Sequence, residues 1–212
     1  MSVDFQASLF DTLLSESGEV GPGPLTGVRR TLLSHGAWVD HLSGWFGGAD
    51  ELFPKLVEEI PWRAERRQMY DAIVDVPRLV HTYGIGEELP DAALDRARDA
   101  LSTHYVGELG EPFVTAGCCY YRDGHDSVAW HGDNIGRGRS TDTMVAIVSF
   151  GSPRRLQLRP RGGSVAHSFP LGHGDLVVMG GSCQRTWEHG IPKTAKPVGP
   201  RISVQFRPRN VF

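Results

Sequence analysis

His131 and Asp133 stand two residues apart in Trp130-His131-Gly132-Asp133, an H-x-D pair of side chains that ligate metals. If Trp130 ends a strand, side chains at i and i+2 point to one face, so one imidazole and one carboxylate converge on a point. A second imidazole from a distant strand would complete a two-histidine, one-carboxylate facial triad. Such a triad covers one face of an ion and leaves three positions for oxidant and substrate, which suits non-heme Fe(II). His189 is the natural third ligand, since it follows the pair DLVVMGG…QRTWEHG near the far end of the chain. With nine histidines a lone H-x-D arises readily by chance, and the remaining histidines are read as surface, turn or core residues.

Arg201, twelve residues beyond His189, opens RISVQFR, and Arg207 closes it. Six residues apart on a strand, both arginines face the same side, opposite Ile202, Val204 and Phe206. An arginine inside a β-structure is costly unless it meets a carboxylate, and its planar fork suits a bidentate pair. A dicarboxylate such as 2-oxoglutarate supplies that partner, with one carboxylate and the keto group on iron and the distal carboxylate on the arginine. On the residues alone, a solvent-facing edge strand stays open as the other reading.

These groups need a scaffold. From Phe113 onward short β-rich segments recur, among them FVTAGCCYY, TMVAIVSF, RRLQLRP and DLVVMGG, separated by turns such as Asp123-Gly124 and Gly162-Gly163. Many short strands at near-regular spacing predict a jelly roll. Upstream, residues 49–60 predict a helix with Leu52, Leu56, Val57 and Ile60 on one face and Pro54 near its start. Residues 90–109 predict the clearest helix, opened at Pro90-Asp91, with Ala93, Leu94, Ala97, Ala100, Leu101 and Tyr105 as its buried stripe. A shorter amphipathic piece runs from Phe5 to Leu14. The expected fold is α+β, a double-stranded β-helix (jelly roll) core with N-terminal helices packed outside.

Composition narrows the classes. A length of 212 residues fits one domain, and 40% hydrophobic content supports a core. A net charge of -3 argues against a protein that coats nucleic acid, without excluding a local basic groove. Cys118, Cys119 and Cys183 have no CxxC spacing, which excludes a disulfide framework or thiolate zinc site. Neither a leader nor a run of about 20 apolar residues is visible, so the chain reads as soluble and cytoplasmic, and a monomer is expected.

In combination, YYRDGHDSVAWHGD, VSFGSPRRLQLRP, LGHGDLVVMGG…W-EHGIPK and PRISVQFRP resemble the AlkB family of Fe(II)/2-oxoglutarate dioxygenases, from about Pro77 to Pro208. The resemblance implies a single dioxygenase domain: residues 1–76 an N-terminal extension, 77–112 a nucleotide-lid-like segment and helix, and 113–212 the catalytic jelly roll. It puts the metal on His131, Asp133 and His189. It puts the distal carboxylate of 2-oxoglutarate on Tyr121 and Arg201 and its iron-chelating end near Arg207, with Ser203 at the asparagine position of the family's R-x-N-x-x-x-R. The implied chemistry is oxidative demethylation with Fe(II), 2-oxoglutarate and O2, in which succinate forms and an N-methyl group leaves as formaldehyde.

The implied substrate is an alkylated base in single-stranded DNA or RNA, extracted from its stack for reaction. Three positions depart from the repair-type branch. Cys119 stands where an asparagine is usual, Ile135 where an acidic residue faces the base, and no aromatic follows Tyr83-Gly84. Trp62 and Tyr83 are read as stacking faces for a base. Arg137, Arg139 and the run Arg154 to Arg161 are read as a phosphate-tracking rim. The rival readings are a hydroxylase of a protein or small molecule, and a non-catalytic jelly-roll binding module.

Overall fold

The computed structural model describes residues 20–69 and 72–211, so the piece from Phe5 to Leu14 lies outside the described residues. In chain order, β1 (Gly21–Pro22), β2 (Arg29–Leu32), β3 (Ala37–Leu42) and β4 (Phe46–Gly47) lead to α1 (Ala49–Glu59). A long hairpin follows, β5 (Arg63–Met69) and β6 (Ala72–Tyr83), and then α2 (Ala92–Leu109). The remaining strands are β7 (Thr115–Tyr121), β8 (Val128–His131), β9 (Val145–Gly151), β10 (Arg154–Pro160), β11 (His167–Leu171) and β12 (Leu176–Gly181). After one helical turn, α3 (Cys183–Thr186), come β13 (Trp187–Ile191) and β14 (Arg201–Arg207).

An eight-stranded sheet, ordered β2-β3-β12-β9-β14-β7-β6-β5, faces a four-stranded sheet, β11-β10-β13-β8. Alternation along the strands sorts the apolar residues into two cores. Val148, Val178, Ile202, Val204 and Phe206 point outward from the large sheet onto Leu52 and Leu56 of α1 and Leu94 and Leu101 of α2. Val145, Ile147, Val177 and Met179 point inward onto Leu156, Leu158, Trp187 and Ile191 of the small sheet. The double-stranded β-helix with helices outside it is therefore the fold, and the site lies on the inward side.

α2 begins where expected, with Asp91 Oδ1 accepting a 2.7 Å bond from the Ala93 N–H, and it ends on Gly110, which takes the left-handed φ of 76° that closes a helix. Pro54 falls in the second turn of α1 rather than near its start. Burial of Leu52 and Leu56 outweighs the backbone bond it forfeits.

Strands β2, β3, β5 and β6 have no counterpart in the sequence reading. The AWVDHL strand β3 is hidden by Asp40, which is 1% exposed yet accepts from both Arg30 Nε and Nη2 at 2.8 Å and from the Tyr105 hydroxyl at 2.9 Å. A carboxylate so paired is tolerated in a core, but one partner sits on another strand and the other 65 residues along the chain.

Candidate metal centre

β8 and β13 are neighbours in the small sheet, in a register that sets His131 opposite His189. The two rings lie 4.3 Å apart between centroids. β8 runs through His131 rather than ending at Trp130, so Asp133 sits not on the strand but in the turn beyond it. Gly132 makes that turn possible: a Cβ there would come within 2.4 Å of the Gln184 carbonyl oxygen. The Asp133 N–H then donates to Gln184 Oε1 at 2.9 Å. One ligand atom from each of His131, Asp133 and His189 falls within 4.8 Å of the others, a grouping found nowhere else among the described residues.

The electrostatics suit a cation. His131 Nδ1 donates to the Ala129 carbonyl at 2.9 Å, which leaves the Nε2 lone pair to face the cluster. Burial, reinforced by His131, pushes His189 down to about 3, so its imidazole is neutral and free to ligate. Burial alone would raise the Asp133 carboxyl. The charge and hydrogen bond of Arg207, with the two histidines, outweigh it and hold the group below the usual carboxylate range. Two imidazoles and one carboxylate are a donor set that fits Fe(II).

The inward face of β14 supplies the second half of the site. Arg201 is 2% exposed and lies opposite Tyr121 in the β14–β7 ladder, its guanidinium carbon 5.1 Å from the Tyr121 ring centre. Nη2 donates to Ser149 Oγ at 2.6 Å, whereas Nε and Nη1 meet no acceptor among the described residues. Leaving charged donors buried and unmet costs several kcal/mol, on the order of a missing ion partner. A ligand carboxylate is the group that would satisfy them, so these residues fit the distal end of 2-oxoglutarate. Further along the same face, Gln205 Nε2 donates to Ser203 Oγ at 2.8 Å and Arg207 Nη2 to Gln205 Oε1 at 3.0 Å. At the departure noted above, Cys119 accepts from Arg78 Nε at 3.3 Å.

Other expected residues are placed elsewhere. Tyr83 is buried in the outward core, edge-on to His81, and Trp62 packs on Tyr120 with Nε1 donating to the Val57 carbonyl. Neither reaches the cluster. Arg137 is ion-paired with Glu111. Arg139 and Ile135 are exposed just past Asp133, Ile135 to 68%. Arg154 is no rim residue: it is 5% exposed and donates to the carbonyls of Asp123, Asp126 and Pro192. Its burial was readable from RRLQLRP, where Arg154 shares a face with Leu156 and Leu158. Gln184 carried no signal in the sequence.

A jelly roll enclosing a His-Asp-His cluster and an unmet buried arginine defines a 2-oxoglutarate-dependent iron oxygenase. Residues 81–207 match the family described as 2OG-Fe(II) oxygenase superfamily. The chain is 30% identical to the alpha-ketoglutarate-dependent dioxygenase alkB homolog 3 of Bos taurus, over 89% of this chain and 69% of that protein. It is 29% identical to the DNA oxidative demethylase ALKBH2 of Homo sapiens, over 75% of this chain and 68% of that one. A prolyl hydroxylase of Trichoplax adhaerens, solved with a peptide fragment, shares the fold at a TM-score of 0.57 and 11% identity, covering 80% of this chain and 82% of that one. The chain belongs to the AlkB family of Fe(II)- and 2-oxoglutarate-dependent dioxygenases. It is an enzyme whose cofactors are Fe(II), 2-oxoglutarate and O2. No helix among the described residues is long and apolar enough to cross a membrane.

Proposed function

We propose that the enzyme demethylates N-alkylated bases in single-stranded DNA or RNA, as a repair activity. The catalytic half of this reading is carried by one observation: Arg201, buried with two unmet nitrogens, on the face of β14 that also bears Arg207 beside Asp133. The nucleic-acid half is supported by the alkB homolog relatives, one of them named a DNA oxidative demethylase.

In this reading His131, Asp133 and His189 hold the iron, which with 2-oxoglutarate and O2 supplies the oxidising power to hydroxylate a methyl C–H bond. Arg201 and Tyr121 fix the distal carboxylate of the cosubstrate. Ser203 and Gln205 link them along the strand to Arg207, which holds Asp133. The fixed geometry would bring the methyl carbon to the side of the His-Asp-His cluster where the His131 side chain is 38% exposed. A hydroxymethyl group on nitrogen then leaves as formaldehyde. Binding leans on the exposed cations at the rim, Arg139 foremost, since Arg137 and Arg154 are engaged within the fold.

The test is a panel of single-stranded oligonucleotides, each with one N-methylated base, incubated with Fe(II), 2-oxoglutarate and O2 and read by mass spectrometry. Loss of the methyl group in step with succinate release is expected. Succinate formed without demethylation of any member would move a protein or small-molecule substrate ahead.

A further inference from the structure

We infer that Gln184 is a positioning residue for the metal ligand Asp133, an inference that rests on reading His131, Asp133 and His189 as the metal centre. Gln184 lies in α3, the single turn between β12 and β13, and is 1% exposed. Its Oε1 accepts from the Asp133 backbone N–H, while its Nε2 has no partner among the described residues. A buried amide with one half unmet is a poor choice for packing alone, since an apolar side chain of the same size would fill the space without that penalty. What the glutamine offers and a leucine does not is the accepting oxygen at Asp133.

Two close backbone approaches show how tightly the Asp133 turn is held. The Gln184 backbone carbonyl oxygen lies 2.4 Å from where a Cβ on Gly132 would be, and the Asp133 backbone carbonyl oxygen lies 2.2 Å from where a Cβ on Gly138 would be. The turn between the first two ligands is thus pressed between α3 on one side and the 137–139 turn on the other. Gln184 is the hydrogen bond that sets its register. Because α3 runs straight into β13, the same residue links the backbone of Asp133 to the strand that carries His189. It touches neither cosubstrate nor reacting atoms and acts through Asp133.

The experiment is Co(II) binding to wild type, Q184L and Q184E by equilibrium dialysis, with thermal unfolding of the metal-free proteins alongside. Q184L removes the acceptor at constant size and is expected to weaken Co(II) by about 10–100-fold, the usual effect of losing a group that orients a ligand. Q184E keeps an accepting oxygen at the same reach and is expected to bind within a few-fold of wild type. If Q184L fails to fold, Q184N, which withdraws the oxygen by one methylene, takes its place with the same expectation. Wild-type protein that takes up no Co(II) would overturn the metal centre and this inference together. Tight binding by wild type, with an unchanged dissociation constant in the variant that lacks the acceptor, would overturn the positioning role alone.

Discussion

Arg207 Nε donates to Asp133 Oδ2 at 2.8 Å, and the other carboxylate oxygen, Oδ1, is left 3.6 Å from His131 Nε2. One oxygen is held by the protein and the other faces the histidines, so the carboxylate is set to offer a single donor. The pair is largely buried, with side-chain exposures of 16% and 5%. Removing one partner of a buried pair strands the other, at about 3–5 kcal/mol. Arg207→Met is therefore expected to lower the stability of the metal-free protein by about that much, and added divalent metal should recover part of it by supplying the missing positive charge. Thermal unfolding with and without Co(II) checks this; a variant as stable as wild type would mean that Asp133 does not depend on the pair.

Arg201→Ala should raise the 2-oxoglutarate requirement by about one to two decades, since a charge-assisted bond to a buried carboxylate contributes about 1.5–3 kcal/mol. Co(II) binding should be unaffected. Succinate formation against 2-oxoglutarate concentration is the measurement, and an unchanged KM would show that another cation takes the distal carboxylate.

Gly138→Ala places a methyl group 2.2 Å from the Asp133 carbonyl oxygen. The ligand's own backbone has to give way, so a loss of about 1–3 kcal/mol is expected together with weaker metal binding. A variant with normal Co(II) affinity would show that the turn has room to relax.

Asp126 offers a pH test away from the metal. Burial alone would raise its carboxyl, but the hydrogen bonds from the Arg122 side chain and backbone hold it below its ordinary value. A carboxylate so held stabilises the fold above the unfolded value of about 4, and its contribution is lost as pH falls through the lower folded value. Asp126→Asn should cost about 1–2 kcal/mol at pH 7, the half-exposed Arg122 being partly screened by water. The gap from wild type should narrow as pH falls through the lowered folded value of Asp126. A gap that stays constant with pH would show that charge is not what holds this loop.

The two arginines once read as one rim should behave differently. Arg139→Ala is expected to weaken oligonucleotide binding and to reduce the slope of log affinity against log salt by about one. Arg154→Ala should leave that slope alone and lower the melting temperature, because its three carbonyl contacts are internal. A reduced slope for Arg154→Ala would return it to the rim.

What the sequence made legible followed from side-chain alternation. Parity along RISVQFR assigns Arg201, Ser203 and Arg207 to one face and the apolar residues to the other, and the fold keeps that division. The spacing of His131 and Asp133 predicted convergence but by another route, since strand alternation ends at His131 and the turn at Gly132 does the rest. Tyr83 and Trp62 were misplaced because residue type alone suggested stacking. Tyr83 pairs in register with Ala116 on the outward side, whereas Val80 pairs with Cys119 on the inward side. Asp40 and Gln184 depend on partners 65 and 51 residues away, which no local pattern encodes.

The division of β14 also bears on how such an enzyme changes over generations. One face packs in the outward core and the other bears Arg201 and Arg207, and strands flank it on both sides, so a substitution there disturbs folding stability and, on the proposed reading, cosubstrate affinity at once. Ile135 and Arg139, exposed at the rim, carry no such double burden. Inherited variation can accumulate at such exposed positions and, if they meet substrate as proposed, shift which molecule is oxidised while the buried His-Asp-His cluster stays as it was.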